Sequence, residues 1–392
     1  MHNPTVRHSH VSINNSFVHL VQYGGTERLL KSTTIYDPND SQKLSSEQTR
    51  NNQNGNSTDR SYTDSSGSNT NLENGSTKKL IIFLPGNPGI LGIYHDFLVA
   101  LYRSICTRPQ SGEADEQPTI LAISHNNFDH PDYVDYKSDS RVCVEENDLN
   151  FVERSVAQAH SSNPHHIELQ VMNKIIILKR LLNINIDDCR LIFIGHSISC
   201  YIILRLLQDR VISNAHEGTV MIHPALDNLA LTEKGSKFDW MFGYKMDLLL
   251  RTAALLVEKL LPKSAKLAIA KWLCEPDFVK SSSDIVLDSV VQLSCSKTLN
   301  ALIQMAKSEF ALIKDINPDL LIKPHATKLK MIYAINDHWV NPKSRISLRE
   351  LYPNLYMEEQ STKHAFIMEP KTVMDYAVKV GVFVQDFLDN ID

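Results

Sequence analysis

Residues 189–210 read CRLIFIGHSISCYIILRLLQDR. An apolar run, LIFI, leads directly into Gly195-His196-Ser197-Ile198-Ser199, and an apolar stretch with helical spacing follows. A buried strand that turns at once into an apolar helix is the unit from which α/β folds are built. The continuous apolar run suits a strand covered on both faces. The turn requires small neighbours around residue 197 and lifts the Ser197 hydroxyl off the end of the sheet. It also aims a helix N-terminus at whatever binds there. A tight turn with an idle serine is the plain alternative.

The rest of the chain repeats the rhythm. LIIFLPGNPG after Lys79, TILAISHNNF (119–128), GTVMIHPAL (218–226), KLKMIYAINDHWV (328–340) and NLYMEEQSTKHAF (354–366) read as strands with polar ends. YHDFLVALYRSI, residues 166–182 and residues 372–388 have helical spacing. The alternation predicts an α/β fold with a mostly parallel sheet in a single domain, 1–392. Residues 16–36 alternate apolar and polar and predict an N-terminal antiparallel hairpin. Residues 39–77 are rich in Asn, Ser, Thr, Gln and Asp, with Leu44, Tyr62 and Leu72 as their only large apolar residues. Such a segment buries too little to offset its ordering entropy, so a disordered low-complexity insertion is expected. A polar loop is expected from about residue 129 to 163. Residues 227–327 carry helical patterns without strand signals. They predict an inserted α-helical cap, with ordinary core-facing helix as the alternative.

Composition removes several functions. Forty basic against 45 acidic residues leave a net charge of −5, so nucleic acid is not an expected partner. No apolar stretch is long enough to span a bilayer, and MHNPTVRHSHVSINN lacks the apolar core of a signal peptide. The six cysteines form no C-x-x-C and are expected to be reduced thiols in a cytosol-facing protein. With no P-loop, no G-x-G-x-x-G after a strand and no H-E-x-x-H, no cofactor and no metal are expected.

A serine hydroxyl needs a base, and the base needs an acid to orient it and stabilise its charge. Nucleophile-elbow enzymes place these in the chain order Ser, acid, His. Downstream of Ser197, Asp337 follows the strand MIYAI and His364 follows NLYMEEQ, both at strand ends where open α/β sheets build sites. Asp315 and Asp319 are alternative acids; His223, His325 and His338 are weaker candidates for the base. His196 is expected to point away from the serine hydroxyl. The oxyanion donors are expected to be the Ile198 N–H and the Asn87 N–H in Pro85-Gly86-Asn87-Pro88-Gly89. An elbow with an aspartate nucleophile would indicate a dehalogenase or an epoxide hydrolase, which Ser197 excludes.

FLPGNPGILGIYHDF, SHNNF, LQVMNKI, GHSIS, HPALDNLALTEKGSKF, INDHWV and KHAFI occur in this order. Together they resemble the lipid droplet-associated hydrolase family over most of residues 80–370. The resemblance implies an α/β-hydrolase fold, residence on lipid droplets and the endoplasmic reticulum, and an ester-lipid substrate such as cholesteryl ester. By motif it places the nucleophile at Ser197, the acid at Asp337 in Asp-x-Trp and the base at His364 in His-Ala-Phe. Two features depart from the family: its elbow is usually GHSIG, where Ser199 stands here, and it has no counterpart of the 39–77 insertion. A droplet-binding scaffold with a weak or inactive site is the alternative function.

The expected cap suits that location. Residues 246–273 combine Leu248, Leu249, Leu255, Leu256, Leu260, Leu261 and Trp272 with Lys259, Lys263, Lys266 and Lys271. Helices of this composition lie in a lipid interface with their basic side chains reaching out. The expected partner of these residues is a lipid-droplet or endoplasmic reticulum surface.

Overall fold

The computed structural model describes residues 4–13, 16–25, 78–106, 118–128, 140–144, 149–181, 189–243 and 246–390. The insertion expected over 39–77 lies outside them. Among the described residues nine strands form one sheet: β1 Val6–Ile13, β2 Ser16–Tyr23, β3 Lys78–Leu84, β4 Thr119–Ile123, β5 Ser140–Val144, β6 Cys189–His196, β7 His216–Ile222, β8 Leu329–Ala334 and β9 Tyr356–Gln360. Their order is β5-β1-β2-β4-β3-β6-β7-β8-β9. The run from β4 through β9 is parallel throughout, and β2 joins it antiparallel to β4. Every residue from Leu80 to Leu84 and from Leu191 to His196 is buried, so both faces of the sheet centre are covered.

Helices supply the cover. Before β7 these are α1 His95–Cys106, α2 Phe151–Ala159, α3 Ile167–Ile176, α4 Ile198–Leu206 and α5 Arg210–Ala215. Between β7 and β8 lie α6 Glu233–Gly243, α7 Met246–Leu260, α8 Lys263–Leu273, α9 Pro276–Ser281, α10 Asp284–Gln292, α11 Ser296–Leu312 and α12 Pro318–Leu321. Helix α13 Pro342–Leu351 precedes β9, and α14 Pro370–Asp389 follows it. One layer is α1 packed with α14, and another is α3 packed with α4. The inserted helices divide: α11 buries Ala301, Ile303, Met305 and Phe310 in the main core, whereas α8 buries no side chain fully.

The N-terminal antiparallel pair among the described residues is Val6–Ile13 with Ser16–Tyr23; the second half of the hairpin expected over 16–36 falls on residues 26–36, outside the described set. The segment VRHSHVSI looks polar, but His10 is buried and its imidazole stacks on His19 at 4.7 Å, filling a place an apolar side chain would take. The polar loop ending near 163 contains structure as well. Residues 140–144 form β5, which adds to β1 in parallel, and α2 opens on a capping box between Asn150 and Glu153.

The centre of the sheet carries the stability. Ile81 on β3 is fully buried between β4 and β6. Ile81→Ala should cost about 2–5 kcal/mol through lost burial and the cavity left behind. Chemical denaturation should show a lower midpoint with an unchanged slope.

Candidate active site

Ser197 sits between β6 and α4 with φ 56° and ψ −120°, a conformation that non-glycine residues rarely hold. Backbone bonds hold it there. The Ser197 N–H donates to Ile222 O at 2.9 Å, and its carbonyl accepts from Cys200 N at 3.1 Å and Ala225 N at 3.3 Å. Gly195 is required because a Cβ there would come within 2.6 Å of the Ile203 side chain and 3.2 Å of backbone on α4.

The imidazole of His364 bridges the other two residues singled out in the sequence. Its Nε2 lies 2.8 Å from Ser197 Oγ and its Nδ1 lies 2.7 Å from Asp337 Oδ2. Asp337 Oδ1 accepts the Trp339 N–H at 2.8 Å. Burial alone would raise the Asp337 carboxyl. The hydrogen bond and charge of His364 outweigh it, and the Trp339 N–H and His223 add to them, so the carboxyl stays below its usual range. The three residues leave the C-terminal ends of β6, β8 and β9.

The competitors lie elsewhere. His338 Nδ1 pairs with Glu233 at 2.6 Å, Asp315 accepts from Asn228 at 2.8 Å, and Asp319 meets Tyr352 and Lys323. The His325 ring packs edge-on against His216.

His196 and His223 have a role that sequence reasoning missed. His196 Nε2–H at 3.0 Å and His223 Nδ1–H at 2.7 Å both donate to the backbone carbonyl of His364. Their other ring nitrogens must therefore accept, His196 from Tyr94 OH at 2.7 Å and His223 from Tyr376 OH at 2.8 Å. Tyr94 OH in turn accepts from the Gly86 N–H at 3.0 Å. Burial first, then the neighbouring His364, lowers both imidazoles, His223 to about 4. Both rings are neutral at physiological pH, as these bonds require. The signal in the sequence was a histidine at the end of each of two adjacent buried strands.

Ile198 is the first residue of α4, so its N–H lacks an intrahelical partner. Pro85–Gly89 lies against the elbow. A Cβ on Gly86 would come 2.7 Å from His196 Nδ1, and Ser199 Oγ donates to the Pro85 carbonyl. Ser199 is fully buried, 3.4 Å from His125 Nε2; His125 Nδ1 is 3.1 Å from Lys174 Nζ. The hydroxyl that departs from the usual glycine thus ties the Pro85–Gly89 loop to the elbow.

Leu248, Leu249, Leu255, Leu256, Leu260 and Trp272 are exposed, the last at 82%. Leu261 differs, being only half-exposed. Trp240, Ile269 and Leu273 extend the exposed apolar set beyond the expected residues. No helix among the described residues is long and apolar enough to cross a membrane.

The parallel sheet, its elbow and the imidazole-bridged serine and carboxylate define an α/β-hydrolase, and the enzyme is a hydrolase. The model of the family described as lipid-droplet associated hydrolase matches residues 77–367, and the chain belongs to that family. It is 25% identical over 315 residues to the lipid droplet-associated hydrolase of Mus musculus, covering 80% of this chain and 85% of that protein. The Drosophila melanogaster protein of the same name is 20% identical over 311 residues, covering 77% of this chain and 88% of its own. Among solved structures, a delta mutant of DBJA superposes with a TM-score of 0.53 at 8% identity, covering 98% of this chain and 99% of that one. The peroxisomal α/β-hydrolase Lpx1 of Saccharomyces cerevisiae gives 0.46 at 13% identity over 98% of this chain and 90% of that one.

Neutral buried histidines set the acid limit of the fold. Burial lowers His165 and His223 to about 4 and His216 to about 3. Unfolded, each titrates near 6.5, so the unfolded state binds more protons below that pH. The contribution of these imidazoles to stability should be full above about 6.5 and fall as pH drops towards 4. Melting temperatures measured from pH 7.5 to 4.5 should decline steadily; a flat profile would contradict neutral burial.

Proposed function

We propose that the protein is a serine ester hydrolase acting on lipids at a droplet surface. The observation that carries this reading is the single imidazole held 2.8 Å from Ser197 Oγ and 2.7 Å from Asp337. His364 Nε2 takes the hydroxyl proton as Ser197 Oγ attacks the ester carbonyl. Asp337 holds the imidazole in the tautomer that leaves Nε2 free and stabilises the imidazolium that forms. The Ile198 and Asn87 N–H groups, with the N-terminus of α4, receive the negative charge of the tetrahedral oxygen. Collapse expels the alcohol, which takes the proton from His364, and leaves an acyl group on Ser197. Water, deprotonated by His364, then attacks the acyl-enzyme and releases the carboxylic acid.

A lipid substrate is supported by the family and by the exposed apolar side chains of α6 to α8. Helix α6 begins beside the acid loop. Its Lys234 N–H donates to His338 O at 3.1 Å, and Phe238 packs on Trp339 with ring centres 5.3 Å apart. Exposed apolar side chains on helices that follow this contact suit substrate arriving from a phospholipid monolayer, with Lys259 and Lys271 at the headgroups. The substrate class is a neutral lipid ester, with cholesteryl ester a member of it. The lipid droplet and the cytosolic face of the endoplasmic reticulum are the proposed locations.

A fluorophosphonate probe should label the wild type and fail to label Ser197→Ala. Asp337→Asn should lower kcat for a p-nitrophenyl ester by about 10⁴-fold. Folded wild type that neither labels nor turns over would favour the scaffold function. Replacing Leu256, Leu260 and Trp272 together by Ser should weaken flotation with phosphatidylcholine-coated triolein droplets by about tenfold or more, given the apolar area each removes. Unchanged flotation would count against docking through α7 and α8.

A further inference from the structure

One buried carboxyl has no part in the hydrolytic steps yet touches the oxyanion loop. Glu309 on α11 is buried, and its Oε1 accepts from Asn87 Nδ2 at 2.9 Å. The same amide nitrogen donates to Leu302 O at 3.3 Å. The other end of the amide, Asn87 Oδ1, is buried and has no hydrogen-bond partner among the described residues.

Several charged groups on the elements packed around α11 meet partners other than Glu309, and Glu258 of α7 accepts from the Ser296 N–H and hydroxyl at the start of α11. Lys307 on α11 pairs with Asp247 of α7, and Arg251 of α7 bonds Asp247 and Asn300. Glu168 of α3 pairs with Arg205, His166 caps α3, and His165 bonds Asn126 O. Lys174 of α3 meets Ser124, His125 and Gln170, while Lys237 and His338 share Glu233 at the start of α6. Asp315 beyond the end of α11 accepts from Asn228.

An ionised Glu309 would offer only acceptors and leave the Asn87 oxygen unpaired. A neutral acid has both groups that a primary amide needs, a carbonyl to accept from N–H and an O–H to donate to the amide oxygen. We propose that Glu309 is held as the neutral acid and pairs through both oxygens with the Asn87 amide, as a positioning residue that locks α11 onto the oxyanion loop. Burial, against a smaller opposing effect of Asn87, pushes this carboxyl up to about 7, which agrees with the pairing. Deprotonation above neutrality breaks the O–H bond, loosens Asn87 and misplaces its N–H. The kinetic consequence rests on the oxyanion role proposed above; the acid–amide pair does not.

Glu309→Gln keeps a donor and an acceptor with no proton to lose, whereas Glu309→Leu removes both. With p-nitrophenyl butyrate, the ratio of Glu309→Gln kcat to wild-type kcat should rise as pH goes from 6 to 9, with its midpoint near 7, because the His364 base titrates alike in both. Glu309→Leu should lower kcat about 100-fold with little change in KM, the effect of a displaced transition-state donor. If the leucine variant does not fold, the glutamine variant carries the test. A ratio that stays constant with pH, or a folded Glu309→Leu within twofold of wild type, would overturn the kinetic role.

Melting temperatures test the pair itself. An acid raised in the fold stabilises below its unfolded value of 4.5, and that contribution is lost as pH climbs through about 7. The melting temperature of Glu309→Gln relative to wild type should therefore rise between pH 5 and 8. A constant difference overturns the neutral acid whatever the activity. A rising difference in a protein that shows no turnover and no probe labelling would support the pair and overturn the hydrolase function.

Discussion

The backbone at Ser197 has to be held where few side-chain-bearing residues go. A φ of 56° with ψ −120° costs on the order of 1–3 kcal/mol and persists only where its surroundings over-determine it. Those surroundings are the middle of the sheet. Strand β6 delivers the turn, β7 receives the Ser197 N–H through Ile222, and the chain after β7 returns the Ala225 N–H to the Ser197 carbonyl. The Pro85 loop closes the other side through Ser199. The order β3-β6-β7 places this costly conformation at the centre of the sheet, and Leu84, Ile194 and Ile222 beside it are fully buried.

Around that point the site is polar but sparingly charged. His196, His223, Tyr94 and Tyr376 are joined in a hydrogen-bonded shell, and burial keeps the two imidazoles neutral. Fully satisfied networks of this kind are rigid, because the low local dielectric strengthens each bond. The two imidazoles converge on the His364 carbonyl and fix its backbone, while Asp337 fixes its ring. The Asp337 carboxylate faces His364 with one oxygen and takes the Trp339 N–H with the other.

Much of this was legible in the residues. The apolar runs of β3, β6, β7 and β8 announce a sheet covered on both faces, and the elbow announces its centre. Asp337 and His364 could be selected because each follows a strand in the required chain order. Other parts were hidden for physical reasons. Histidines at 8, 10 and 19 disguise the hairpin, since stacked imidazole rings pack as core while scoring as polar. Strand β5 is a short element, legible only once β1 is known to need a neighbour. The capping box at Asn150 was a readable signal for α2. Contacts over long separations left no local trace: Asn87 and Glu309 lie 222 residues apart, and the carbonyl that His196 and His223 hold belongs to the backbone of a residue 168 and 141 positions away.

Helix α14 follows Ser197, Asp337 and His364 in the chain, yet it supplies Tyr376 to the histidine shell and packs Phe387 against the space left by Gly218 on β7. During synthesis on the ribosome the elbow, the Pro85–Gly89 loop and the inserted helices all emerge before that helix does. The bond that fixes His223, and through it the backbone of His364, is therefore among the last contacts the growing polypeptide can complete.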